Sequence, residues 1–322
     1  MSDDHYVAQT YLKHFTDVRK PGFLHVYRKK DLKVHPAAPR AICFEEDGDL
    51  SPYFDDPLIL RTYLQAIEPR WNSCISTIEN GVANEETKWI VSGYIAFLRA
   101  CSPTMRRLGT TTLEALVEAT RPSVARYVQA NTPQQDHAEQ VVATLLNPSV
   151  YVSVDAQYPK ALGITSLIAI QKRYWESPWL ILRNDAEIPF LTSDYPANPY
   201  YHNNDPQRFH VYVPLTPQHA LLITPLPDTE RMHAHAQDSY GIVKRQQVKL
   251  FNRTVVQCAE NVVLSDRQSP WIRELVEKYR YWRVESLSDK IPVSESGYYF
   301  ITRMRAIERK PDEETLPRLS SH

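Results

Sequence analysis

The sequence predicts an α+β protein in which a mainly helical N-terminal half packs on a C-terminal antiparallel sheet with flanking helices. Apolar residues recur by threes and fours from Leu60 to Ile78 and from Trp89 to Leu98, the helical period. From about Trp179 the pattern changes to short β-type runs divided by Asn, Asp and Pro clusters. Across 322 residues, 43% apolar and 11% aromatic content is enough for a sizeable core. With no internal repeat and no flexible linker, residues 1–307 are expected to form one domain, helix-rich over 1–175 and sheet-rich over 176–307. Residues 308–322 are expected to be a disordered polar tail.

Val7, Tyr11 and Phe15, with Ala8 and Leu12 beside them, make a helical stripe after the N-cap candidates Ser2, Asp3 and Asp4, which puts His5 in a first turn. Residues 23–28 alternate as a strand, and 29–50 are turn-rich and read as a surface excursion. Asp56-Pro57 opens a helix through Leu60, Leu64, Ile67, Trp71, Ile75 and Ile78, which Pro69 should bend and Gly81 should end. A second helix begins near Asn84, with Glu85 and Glu86 in its first turn, and ends about Pro103. Two or three more are expected over 111–146, starting near Thr112 and near Thr132-Pro133. Strands at 179–182, 189–192, 210–213 and 220–224 should form an antiparallel meander, followed by helices over 246–259 and 270–281 and a strand over 298–304.

Lys plus Arg number 37 against 38 Asp plus Glu, so a nucleic acid or nucleotide partner would have to use a local patch, and no membrane surface is indicated. Only eight glycines accompany 24 prolines, and neither a G-x-G-x-x-G nor a P-loop occurs, which argues against glycine-rich phosphate loops. G-x-S-x-G, H-E-x-x-H and EF-hand patterns are absent too. Cys43, Cys74, Cys101 and Cys258 form no C-x-x-C pair and are read as buried free thiols. No signal-like segment is read, and no apolar run approaches the roughly 20 residues of a membrane span, so a cytoplasmic location is expected.

Several polar residues stand out against this background. His5 titrates near neutrality and can serve as acid, base or ligand, or simply cap a helix; Gln9, four residues on, offers a donor and an acceptor on the same helical face. In Ser193-Asp194-Tyr195-Pro196, Pro196 holds Tyr195 extended, so Asp194 lies at a strand end where it could orient a histidine, bind a cation or act as a base. The competing reading is an Asx-type turn. Glu68 precedes the helix-interrupting Pro69 and could use its carboxylate as a ligand or pair with an arginine. Arg99, in the apolar stretch 95–101, needs Glu68, an anionic substrate group or a route to water. His233 and His235 could chelate a metal if extended, but they lack a third ligand and read as solvated loop. Asn252 reads first as a helix cap and second as an amide that holds a ligand.

In order along the chain, His5-Tyr6-Val7-x-Gln9-x-Tyr11-Leu12-x-x-Phe15, Ile67-Glu68, Leu98-Arg99, Ser193-Asp194-x-Pro196, Pro214-Leu215-Thr216-Pro217 and Asn252 resemble the bacterial family catalogued as domain of unknown function 4238. The resemblance covers residues 5–265 and departs at Ala8, where members usually have proline, and at Tyr195, often asparagine. It implies shared polar positions at His5, Gln9, Glu68, Arg99, Asp194 and Asn252, and it implies no activity.

These residues point to a hydrolase acting on a phosphodiester or related bond, nuclease-like. His5, Asp194 and Glu68 would be catalytic and Gln9, Arg99, Ser193 and Asn252 would bind substrate. A divalent metal ion is the cofactor such a set would suit, its identity left open. The alternative is a noncatalytic binding module in which the same residues form a structural hydrogen-bond network.

Overall fold

The computed structural model describes residues 3–132, 135–150, 152–202, 205, 209–226, 238–292 and 298–309. The chain opens with a strand where a helix was predicted: β1 (Asp3–His5) pairs antiparallel with residues 44–46, placing His5 opposite Phe44. Ala8 is still extended, and helix α1 is confined to Gln9–Leu12, followed by a 3-10 turn over Lys13–Phe15. The predicted first-turn position of His5 is therefore corrected. Tyr6 and Val7 send their N–H groups to the Cys43 carbonyl at 3.0 and 3.4 Å, a partner that local periodicity cannot reveal. The stripe still marked what is buried, since Val7, Tyr11, Leu12 and Phe15 have no exposure.

β2 (Leu24–Arg28), β3 (Val34–Ala37) and β4 (Phe44–Glu46) follow, so the expected surface excursion contains two short strands. The single helix predicted through Ile78 is divided into α2 (Ile59–Gln65), a 3-10 turn at Glu68–Arg70 and α3 (Trp71–Glu79). Pro69 lacks the N–H that an uninterrupted helix would use there. α4 (Glu85–Ala100) begins where Asn84 Oδ1 accepts the Thr87 N–H at 2.8 Å, and it is almost entirely buried. α5 (Pro103–Asn131) starts at a Ser102 cap with proline in its first turn. The start predicted near Thr112 is thus too late, because Ser102-Pro103 ends one helix and begins the next. α6 (Gln135–Leu146) and the unpredicted α7 (Gln157–Glu176) complete the helical half. α7 lies along α4 closely enough that a Cβ on Gly163 would collide with the Ala100 carbonyl.

The larger sheet contains β5 (Trp179–Asn184), β7 (Asn198–Tyr201), β8 (Phe209–Pro214), β9 (His219–Ile223) and β10 (Ser239–Val243) in the order β10-β5-β9-β8-β7. It is antiparallel except for β10, which runs parallel to β5. The predicted strand at 189–192 does not join this sheet; it leads into β6 (Thr192–Ser193), at the edge of a second sheet ordered β3-β2-β11-β6, with β11 spanning Val262–Ser265. Helices α8 (Arg245–Cys258) and α9 (Pro270–Lys278) match expectation closely. A long hairpin of β12 (Trp282–Pro292) and β13 (Tyr298–Glu308) then contains the expected late strand. Buried Glu285 fixes it to α5 by accepting from Arg107 Nη1 at 3.1 Å, and the surrounding arginines hold its carboxyl down at about 2 against the effect of burial.

Period-two alternation in the larger sheet fills both faces. Val211, Val213, Leu221 and Ile223 pack toward α1, α3, α4 and α7, while Tyr212 and Ala220 face α8, with Tyr212 stacked on Phe251 at 4.5 Å. Tyr11 joins the N-terminal segment to both sheets, its hydroxyl donating to the Pro214 carbonyl at 2.6 Å and lying 2.6 Å from Thr192 Oγ1. The four cysteines are free and buried, and among the described residues no helix is long and apolar enough to cross a membrane. His233, His235 and residues 310–322 lie outside the described residues.

Candidate functional site

His5, Gln9 and Glu68, far apart in sequence, line one polar cleft of about 220 Å³ together with Asp4, Thr10, Asp49 and Arg61. β1 delivers His5, the first turn of α1 brings Gln9 and Thr10, and the break at Pro69 turns Glu68 inward. Two polar atoms here are shielded from solvent without a hydrogen-bond partner, His5 Nε2 and Thr10 Oγ1. Unpaired buried polar atoms are costly, so their presence in a cleft favours a ligand that satisfies them.

The charges explain how the cleft titrates. Burial lowers the His5 pKa, against the backbone carbonyls of Arg40 and Pro39 and the charges of Asp3 and Asp4, so the imidazole is neutral at pH 7. Burial raises Glu68 to about 7, with the Asp49 charge adding to the effect. The Glu68 carboxylate makes no hydrogen bond or ion pair with a described residue. Arg61 cannot relieve it, because its guanidinium lies 3.0 Å from Asp4 and 3.6 Å from Asp49. Glu68 is therefore an acid that exchanges its proton near neutrality, in the same cleft as a neutral histidine.

One consequence is measurable in stability. The folded pKa of Glu68 lies above its ordinary 4.5, so its favourable contribution is complete below about 4.5 and disappears as pH rises through about 7. At full effect this amounts to about 3 kcal/mol, and contact with solvent reduces it to about 2. Glu68→Gln should thus be more stable than wild type above pH 7, with the difference closing on acidification, as urea unfolding at a series of pH values will show.

The remaining predicted site residues lie elsewhere. Asp194, 2% exposed, accepts the Glu260 N–H at 2.9 Å on one oxygen and the Asn261 and Val262 N–H groups at 2.7 and 3.3 Å on the other. Burial and the Glu260 charge raise its pKa to about 6, opposed by those N–H groups and by Lys29. Lys29 closes the same turn, donating to the Val256 and Ala259 carbonyls at 2.9 Å. Ser193 Oγ accepts the Tyr195 N–H at 3.1 Å. Asn252 is not the helix cap expected, since it sits within α8. Its amide accepts the Leu191 N–H at 2.9 Å and donates to the Pro189 carbonyl at 2.8 Å, pairing with that extended segment as a strand would. Asn252→Ala strands both backbone groups and should cost about 2 kcal/mol in a denaturant titration. Arg99, near the end of α4, donates to the Tyr195 hydroxyl at 2.9 Å and faces a separate cavity, with no pairing to Glu68.

Sequence reasoning missed Thr10, Asp49 and Arg61 and took Asp4 for a cap. Asp49 and Arg61 lie in a turn-rich stretch and on a helix, and only folding places them near His5. Among the described residues, no three His, Cys, Asp or Glu side chains are grouped to hold a metal ion.

The model of a family described as "Protein of unknown function (DUF4238)" matches residues 4–269. No curated protein and no solved structure matches the chain.

Proposed function

We propose that this chain, which belongs to the DUF4238 family, is a hydrolase that works by general acid–base catalysis in the His5–Glu68 cleft. The observation that carries this reading is the pairing in one cleft of a carboxyl raised to about 7 with a neutral imidazole whose Nε2 is unpartnered. Protonated Glu68 would donate to the leaving group while His5 Nε2 takes a proton from water, and Gln9 and Thr10 would hold the substrate's polar atoms.

The charge balance favours an uncharged or cationic substrate group over the phosphodiester expected from sequence. Asp4, Asp49 and Glu68 line the cleft, Arg61 is engaged by two of them, and Arg99 faces another cavity. Small esters, amides and glycosides are the first substrates to assay, with an aryl phosphodiester as the comparison. Turnover of an uncharged substrate by wild type and its loss in Glu68→Gln would support the reading; turnover retained in Glu68→Gln would remove it. Four buried free thiols favour a reducing cytoplasm as the place of action.

The noncatalytic reading also has specific support, confined to Asp194, Ser193 and Asn252. The hydrogen bonds of Asp194 and Asn252 end on backbone groups of neighbouring segments, and that of Ser193 on the backbone two residues on, which suits a structural network.

A further inference from the structure

A cavity with mainly apolar walls lies between α4, α5, α7 and the sheet, with a volume of about 590 Å³. Met105, Leu108, Leu162, Ile170 and Phe209 supply much of its wall. Among the described residues its only charged lining side chains are Arg99 and Arg173, with no Asp or Glu. Neither arginine forms an ion pair with a described residue.

Arg99 is the informative one. Its Nη1 donates to Tyr195 Oη at 2.9 Å, and its guanidinium carbon lies 5.7 Å from the centre of the Phe209 ring. Its Nε is shielded from solvent and has no acceptor. Tyrosine and phenylalanine do not neutralise a guanidinium, and arginine stays charged in proteins. A guanidinium whose Nε–H is unpartnered and which has no ion pair with a described residue favours an anion on the cavity side. The volume falls in the range of small-molecule sites and greatly exceeds what an inorganic anion fills, so the anion should carry an apolar body.

We propose that this cavity binds an amphipathic carboxylate, its head group on the Arg99 Nε edge and its hydrocarbon portion against Met105, Leu108, Leu162 and Ile170. A carboxylate oxygen accepting from Nε supplies the missing partner, and the planar guanidinium suits a planar head group. Arg173, exposed at the cavity, attracts the same charge. The site is separate from the His5–Glu68 cleft and does not depend on the activity proposed there.

The probe is decanoate, with decanol and decyltrimethylammonium as matched chains of other charge, measured by titration calorimetry on the full chain. Decanoate should bind wild type at least about tenfold more tightly than either control, and Arg99→Gln should erase that preference. Because Arg99→Gln could unfold, Leu162→Trp provides a second test. Leu162 is 41% exposed, so the larger ring is tolerated while it occupies cavity space, and decanoate affinity should again fall about tenfold. Equal affinity for decanoate and decanol, or decanoate binding unchanged in Leu162→Trp, would overturn the proposal, as would no binding of decanoate to wild type.

Discussion

Asp194→Ala is expected to lose about 3 kcal/mol or more of unfolding free energy, the largest stability effect of any substitution considered. The carboxylate accepts three backbone N–H groups at the turn between α8 and β11, and alanine removes the acceptor of all three. It also removes the negative charge that favours protonated Lys29 beside them. Urea unfolding should show a lower midpoint with an unchanged slope. Folded Asp194→Ala should retain whatever turnover wild type shows, because Asp194 does not line the His5–Glu68 cleft. A stable variant without activity would return Asp194 to the catalytic set.

Substitutions in the cleft are expected to do the opposite. His5→Ala and Glu68→Gln should each lower kcat by about 10²–10⁴-fold, the usual contribution of a positioned acid or base. Neither should unfold the protein. Glu68 makes no hydrogen bond or ion pair with a described residue, and its charge above pH 7 opposes folding. Glu68→Gln should therefore be less active yet more stable, the pattern expected where a site keeps a group in an unfavourable state for function. Steady-state kinetics and unfolding on the same preparation separate the two effects. Loss of stability and activity together would make Glu68 structural.

What could be read from the sequence follows from where the information lies. Helices with a buried stripe were legible, as Trp71, Ile75 and Ile78 show, because periodicity is local. The grouping of His5, Gln9 and Glu68 was anticipated as part of a larger set, while Asp49 and Arg61 were not, since nothing near them in the chain distinguishes them from solvated residues. The structural role of Asp194 was read only as the alternative, for another reason. Its partners are backbone N–H groups of Glu260, Asn261 and Val262, which any sequence there would provide. Asn252 likewise binds backbone atoms of Pro189 and Leu191, so an amide that looked like a cap or ligand holder acts as a strand partner. The strand β1 went unread because its pairing with β4 is a long-range contact within an apparent helix signal.

The most direct test is a carbon-13 NMR titration of side-chain carboxyl groups from pH 4 to 9, with Glu68→Gln identifying the Glu68 resonance. A midpoint near 7 is expected for a carboxyl that exchanges its proton at neutrality in the His5 cleft. A midpoint near 4.5 would mean that Glu68 is an ordinary solvated carboxylate and would contradict acid–base catalysis in this cleft.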